Sequence, residues 1–300
     1  MPRSINSKNS GDANPALACV YSLPRSGSTV LIAELDRLEG IVCLPESYFP
    51  QVLEFLTPQE LSDPAKLAAF FLASSPSGSL ISFEEAQTCM VLDDWKATLV
   101  RLGLACAAKT HRNPSQVRTI VWKTTRIIGK GKLFAEAGGR FLVLRRNPVN
   151  VFDSQFRVSF GRHNRNPLRF AFFLESYEAA FSRLPPEATY HIEYEAIPEQ
   201  LAAMSDWFGV AGENWPEGES SIALTHARKT WHNGLMDGFQ SRDDMKRKNV
   251  TLGQRFFLGA GRFAAKPVRP LLSLLRDYYD GQIIKQIRNE ATTILVARSH

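Results

Sequence analysis

The stretch ALACVYSLPRSGSTVLIAELDRLEG, residues 16–40, decides the reading of this 300-residue sequence. Its opening ALACVYSL (16–23) is an apolar run with a valine and a tyrosine, stopped by Pro24, and predicts a short buried strand. PRSGST (24–29) supplies the small residues of a tight turn. TVLIAELDRLEG then predicts a helix that runs to a stop at Gly40.

Further strands are expected outward from this unit at IVCL (41–44), RTIVW (118–122), RFLVLR (140–145) and ATYHIEY (188–194). Helical stretches at 148–158, about 167–183 and 198–208 alternate with them, and residues 49–103 read as helical pieces punctuated by Pro58, Pro64 and SSPSGS (74–79). Alternating strands and helices imply an α/β fold, a parallel sheet flanked by helices on both faces. The tail from about 270 reads as a helix interrupted near Gly281. Residues 1–15 are polar and expected to be a disordered tail, leaving 16–300 as a single domain. No internal repeat or low-complexity segment is present.

Composition sets the outer bounds. Hydrophobic residues make up 44% and charged residues 22%, which excludes a disordered chain, collagen or a coiled-coil rod. No apolar run reaches the ~18 residues of a membrane helix, and MPRSINSKNSGDANP lacks the apolar core of a signal peptide, so a cytoplasmic protein is expected. Cys19, Cys43, Cys89 and Cys106 form no C-x-x-C pair and are read as buried thiols rather than a zinc site or disulfide framework. Charge is unevenly placed. Residues 34–96 hold eleven acidic side chains against three basic, whereas 112–170 hold thirteen basic against two acidic, and 246–288 ten against two. Such a field focuses an anionic ligand, or it is a solvated basic face. No helix-turn-helix, zinc-finger or RNP-like signature points to nucleic acid.

In doubly wound folds ligands bind beyond the carboxyl ends of the strands, which places the 24–29 turn where a ligand would sit. Gly27 admits a close backbone approach, Ser28 and Thr29 add hydroxyls, and the first N–H groups of the following helix point outward. These are the parts of an anion cradle; they also suit a plain strand–helix turn. The turn lacks the lysine of the nucleotide triphosphatase loop, and Gly129-Lys130 and Gly131-Lys132 lack its other glycine and its Ser/Thr.

A second anchor is FLVLRRNPVNVFDSQFR (141–157). Its strand ends in Arg145-Arg146, Asn147 suits a helix cap and Pro148 the first helical position. Ser154 lies two helical turns along, where it and Arg146 reach one phosphate if strand end and helix share a cleft. The alternative is a strand-end arginine paired with a surface carboxylate.

Together the segments resemble the sulfotransferases that use 3′-phosphoadenosine 5′-phosphosulfate (PAPS). In that family a Pro, Lys/Arg, Ser/Thr, Gly, Ser/Thr, Ser/Thr loop after the first strand binds the 5′-phosphosulfate, and Pro24, Arg25, Ser26, Gly27, Ser28 and Thr29 match it. A later segment that binds the 3′-phosphate is matched at every fixed position by Arg146, Asn147, Pro148, Asn150 and Ser154. EYEAI (193–197) is similar to the family's strand-end Y-E-D-L sequence, which makes Tyr194 a nucleotide contact by resemblance. The likeness spans about residues 16–210. Arg25 stands where many members carry lysine, as in protein-tyrosine and some bacterial carbohydrate sulfotransferases, and the segment that closes over the 3′-phosphate has only Arg228-Lys229-Thr230-Trp231 as a counterpart.

The resemblance implies sulfuryl transfer from PAPS to a hydroxyl of a carbohydrate or small-metabolite acceptor, with no metal. Arg25 would stabilise charge on the transferring group, and Glu46 would be the base: PESYF (45–49) resembles a segment of bacterial trehalose sulfotransferases. Read without the resemblance, Glu46 is a helix-start carboxylate, and His163 and His232 are reserve bases. Lys123 and Arg126, expected just after a strand, would face the same cleft, and RVSFGRHNRNPLRF (157–170) would line the acceptor path or form a solvated face. The other classes compatible with the sequence are a P-loop-type phosphotransferase and a catalytically silent nucleotide- or polyanion-binding protein.

Overall fold

The computed structural model describes residues 14–44, 46–75, 80–110, 112–156, 165–210 and 248–298. Five parallel strands, β1 (Ala16–Ser22), β2 (Ile41–Cys43), β3 (Thr119–Thr124), β4 (Arg140–Arg145) and β5 (Thr189–Glu193), form one sheet in the order β2-β3-β1-β4-β5. This is the expected α/β architecture. β1 is central, with β3 on one side and β4 on the other, so the strand order reverses beyond its carboxyl end. A crevice opens at such a switch point, and the 24–29 turn lies in it.

The helices follow as α1 (Ser28–Leu35), α2 (Phe49–Val52), α3 (Pro58–Leu61), α4 (Pro64–Ala73), α5 (Phe83–Cys89) and α6 (Trp95–Ala108). After β3 come α7 (Lys132–Glu136), α8 (Pro148–Phe156), α9 (Pro167–Phe181), α10 (Ile197–Phe208), α11 (Leu252–Ala265) and α12 (Arg269–Arg298). Strand side chains alternate between faces, and the core divides accordingly. Leu17, Cys19 and Tyr21 of β1 join Trp122, Phe141 and the helices α4, α6 and α9 on one face; Ala18 and Val20 join Leu142, Ile192, α1 and α10 on the other. A sheet covered on both faces explains why its strands read as continuous apolar runs. All four cysteines are free and buried. No described helix is long and apolar enough to cross a membrane.

Four sequence expectations are corrected. α1 ends at Leu35, not Gly40, because Asp36 turns back into a buried clamp. Arg112 donates to the Asp36 carboxylate and carbonyl, both at 2.7 Å, and the Cys43 N–H donates to the same carboxylate at 2.6 Å. Lys123 lies within β3, which extends to Thr124, rather than after it. The C-terminal helix is uninterrupted: Gly281 meets no neighbouring atom, while Ile284, Ile287 and Ala291 hold the helix against the core. α11 was not expected, although Thr251 and Gln254 form a reciprocal capping box at its start.

Four arginines of the C-terminal third have structural acid partners. Glu175, fully buried in α9, accepts from Arg262 at 2.9 Å and Arg269 at 2.8 Å. Arg276, stacked 4.3 Å from the Tyr177 ring centroid, pairs with the buried Asp280, which also accepts the Ile128 and Gly129 N–H groups. Arg288 pairs with Glu60 at 2.7 Å. These pairs staple α11 and α12 to the α/β core.

Candidate active site

The turn after β1 is shaped by one close contact. Gly27, the N-cap of α1, sits at φ +94, and a Cβ there would fall 2.2 Å from the Tyr194 ring. Glycine is therefore required both for conformation and for space. Arg25 also occupies the left-handed region, at φ +73, a conformation that costs a non-glycine residue about 1–2 kcal/mol. Such strain persists where surrounding structure over-determines it, and it concentrates at functional loops. The first backbone bonds of α1 run from Val30 and Leu31 to the Gly27 carbonyl, at 2.9 and 3.0 Å. The N–H groups of Ser28 and Thr29 have no carbonyl one turn back within the helix.

The second segment closes onto this turn. The Arg25 Nε donates to Ser154 Oγ at 3.2 Å, and Gln155 Nε2 donates to the Pro24 carbonyl at 3.1 Å. The Arg146 guanidinium stacks 3.8 Å from the Tyr194 ring centroid. Asn147 caps α8 by accepting the Val149 N–H at 3.0 Å, the role expected of it. Burial first, and then the neighbouring Arg146 charge, hold the Arg25 guanidinium below the ordinary arginine value. An anion between the two guanidinium groups would relieve that crowding.

Glu46 stands opposite. The loop after β2 continues along β3, with the Leu44 N–H bonded to the Val121 carbonyl at 2.8 Å and the Ser47 N–H to the Lys123 carbonyl at 3.2 Å. That path carries Glu46 to the end of β3. Its Oε1 accepts from Tyr48 Oη at 2.6 Å and from Thr125 Oγ1. Lys123 Nζ donates to Thr29 Oγ1 at 3.1 Å, joining this wall to the β1 turn. Burial works to raise the Glu46 pKa, but the Lys123 charge, the Thr125 and Tyr48 hydroxyls and the Arg126 charge outweigh it and hold the carboxyl below its usual value. Burial lowers the Lys123 ammonium, with Glu46 opposing the shift. Glu46 is thus an ionised carboxylate at neutral pH, half-buried beside a cation. It is not a helix cap; α2 begins after Tyr48.

The two walls enclose a cleft of about 240 Å³ lined by Arg25, Gly27, Ser28, Thr29, Glu46 and Lys123, with Arg126, Arg146, Ser154 and Tyr194 completing it. Among the described residues, four cations face one carboxylate. Ser26 is the one expected binding residue whose side chain does not line this cleft: its Oγ is buried and has no hydrogen-bond partner among the described residues. The reason is local, since the turn folds inward at Ser26, whose N–H bonds the Leu23 carbonyl at 3.2 Å. His163, His232 and Arg228-Lys229-Thr230-Trp231 lie outside the described residues. Tyr48 and Thr125 escaped the sequence reading; their only signal was proximity in sequence to Glu46 and Lys123. Among the described residues, no group of three or more His, Cys, Asp or Glu is placed to hold a metal ion.

Fold and site together define an α/β protein with a cationic cleft at the sheet's switch point, facing one half-buried carboxylate among the described residues. No family model matches the sequence, and no curated protein matches it. Among solved structures, the chain is similar to the sulfotransferase domain from the Synechococcus PCC 7002 olefin synthase, at 17% identity over 83% of this chain and 93% of that one, with a TM-score of 0.43. It is also similar to the sulfotransferase domain from the curacin biosynthetic pathway, at 17% identity over 82% of this chain and 97% of that one, with a TM-score of 0.40.

Proposed function

We propose that this chain is a sulfotransferase that moves the sulfuryl group of PAPS to a hydroxyl of a carbohydrate or small-metabolite acceptor. The observation that carries the reading is convergence: Arg25 and Ser154, 129 residues apart in sequence, are hydrogen-bonded in one cleft that Glu46 also lines. The two sequence segments that resemble the family's 5′-phosphosulfate and 3′-phosphate sites thus meet across a single cavity. The donor set fits a doubly anionic nucleotide, being cationic with hydroxyls and first-turn N–H groups and, among the described residues, without a second carboxylate.

In this reading Arg146 and Ser154 bind the 3′-phosphate and Tyr194 flanks the nucleotide. Arg25, with the Ser28 and Thr29 hydroxyls and N–H groups, neutralises charge on the phosphosulfate; such preorganised donors are worth about 3–4 kcal/mol each. Lys123 adds a second cation from the β3 side. Glu46 accepts the acceptor's hydroxyl proton as the new oxygen–sulfur bond forms. The bond from sulfur to the bridging oxygen breaks, and its electron pair leaves with the phosphate of adenosine 3′,5′-bisphosphate. Arginine stays protonated, so Arg25 stabilises the leaving oxygen without donating a proton to it.

Calorimetric titration with adenosine 3′,5′-bisphosphate tests the reading without knowledge of the acceptor, with 5′-AMP and ATP–magnesium as controls. Micromolar binding that is lost without the 3′-phosphate is expected. Preference for ATP–magnesium, or no binding, would sink it.

A further inference from the structure

A second cavity, of about 600 Å³, adjoins the cationic cleft and shares Pro24 and Arg126 with it. Its walls are α9 and α12. Phe172, Phe173 and Tyr177 with Leu272, Leu275 and Tyr279 make its lining mostly apolar by area, and Gln155, Ser176, Gln282 and Gln286 are its neutral polar members. Tyr177 ties this lining to the cationic cleft: its Oη donates to the Thr125 carbonyl at 2.9 Å, while the Thr125 hydroxyl bonds Glu46. The reacting end is therefore the Tyr177 end.

Among the described residues, three basic side chains stand on the lining: Arg126 lies at the shared end, where its charge acts on Glu46, and Arg276 is consumed by Asp280 and Tyr177. Arg169 is exposed, and its guanidinium has no hydrogen-bond or ion-pair partner among the described residues. It lies eight residues before Tyr177 on α9, about 12 Å along the helix axis. A guanidinium set at the far end of an apolar channel matches a carboxylate better than a sugar, whose many hydroxyls would be stripped of water against phenyl and leucyl surface.

We infer that this cavity is the acceptor site and takes a hydroxy acid with an apolar body: the hydroxyl lies at Glu46, the hydrocarbon between α9 and α12, and the acid group at Arg169. The inference rests on the sulfotransferase reading and narrows its acceptor away from carbohydrate. Of the expected acceptor-path stretch 157–170, residues 157–164 lie outside the described residues, and Arg169 is the member on the lining.

The test is transfer of label from radiolabelled PAPS by the full chain to ω-hydroxydecanoate, decanol and trehalose, with calorimetry of adenosine 3′,5′-bisphosphate alongside. The hydroxy acid is expected to exceed decanol about 10-fold in kcat/KM, and trehalose by more, the scale of one charge-assisted contact and of a mismatched pocket. Arg169→Met removes the advantage over decanol through KM. Leu275→Glu, at a half-exposed position that tolerates a polar side chain, raises KM for both apolar acceptors about 10-fold. Phe172→Glu serves as the second variant. All three variants keep the wild-type nucleotide affinity. Trehalose as the best acceptor, no transfer to either apolar acceptor, or an unchanged KM in both Leu275→Glu and Phe172→Glu overturns the acceptor inference while nucleotide binding leaves the sulfotransferase reading standing. No nucleotide binding by the wild type overturns both.

Discussion

Gly27 and Tyr194 meet so closely that a single methyl group on the glycine would land 2.2 Å from the tyrosine ring. One belongs to the turn after β1 and the other to the end of β5, and Arg146 stacks on the same ring from β4. Three segments thus share one aromatic side chain. Gly27→Ala is expected to combine left-handed strain of about 1–2 kcal/mol with an overpacking cost of about 1–3 kcal/mol. Thermal denaturation of Gly27→Ala, Tyr194→Ala and the double variant checks this: the double variant should be more stable than the two separate losses imply, because Tyr194→Ala removes the clash.

The half-buried Glu46 and the buried Lys123 lie close enough that each charge favours the other's ionised form. With its folded pKa below the unfolded one, Glu46 contributes stability above the ordinary carboxylate value and loses it as pH falls through the folded value. The acid limb of kcat/KM should accordingly lie below 4.5, the unperturbed glutamate value. Lys123→Met removes the leading charge that opposes burial, so the limb should move upward. An unmoved acid limb in Lys123→Met would remove Glu46 as the titrating base.

Arg25 and Arg146 divide the nucleotide between them. Arg25→Ala should lower kcat about 10²–10³-fold, the usual cost of one preorganised donor at a developing charge. Glu46→Gln should suppress transfer about 10²–10⁴-fold with the fold intact. Arg146→Ala should act chiefly on nucleotide affinity, read by calorimetry, because its proposed contact is remote from sulfur.

Glu175 is fully buried between Arg262 and Arg269. Glu175→Leu removes the buried acid and leaves two arginines that are 35% and 39% exposed and so can be hydrated; it should destabilise by less than the ~3–5 kcal/mol that an unpaired buried charge costs. Urea denaturation reads the loss. Nucleotide affinity of the folded fraction should be unchanged, since none of these three residues lines the cationic cleft.

Local pattern determined a great deal. The strand at 16, the glycine turn, the proline and asparagine that open α8, and the parallel α/β class all follow from side-chain alternation and turn chemistry acting over a few residues. The segments 24–29 and 146–154 were legible for the same reason: each is a strand end followed by a helix start. What joins them was not. Arg25 meets Ser154, Lys123 meets Thr29, and Glu46 meets Thr125 only because the order β2-β3-β1-β4-β5 brings those strand ends side by side. The end of α1 at Leu35 depends on Arg112, 76 residues beyond Asp36, and the unbroken α12 depends on the core beneath it. Local periodicity reports which face of an element is apolar; it holds no record of which distant element covers that face. The sequence alone therefore determined the elements and the chemistry at their ends, and tertiary packing decided which of those ends share a site and that the neighbouring cavity is apolar.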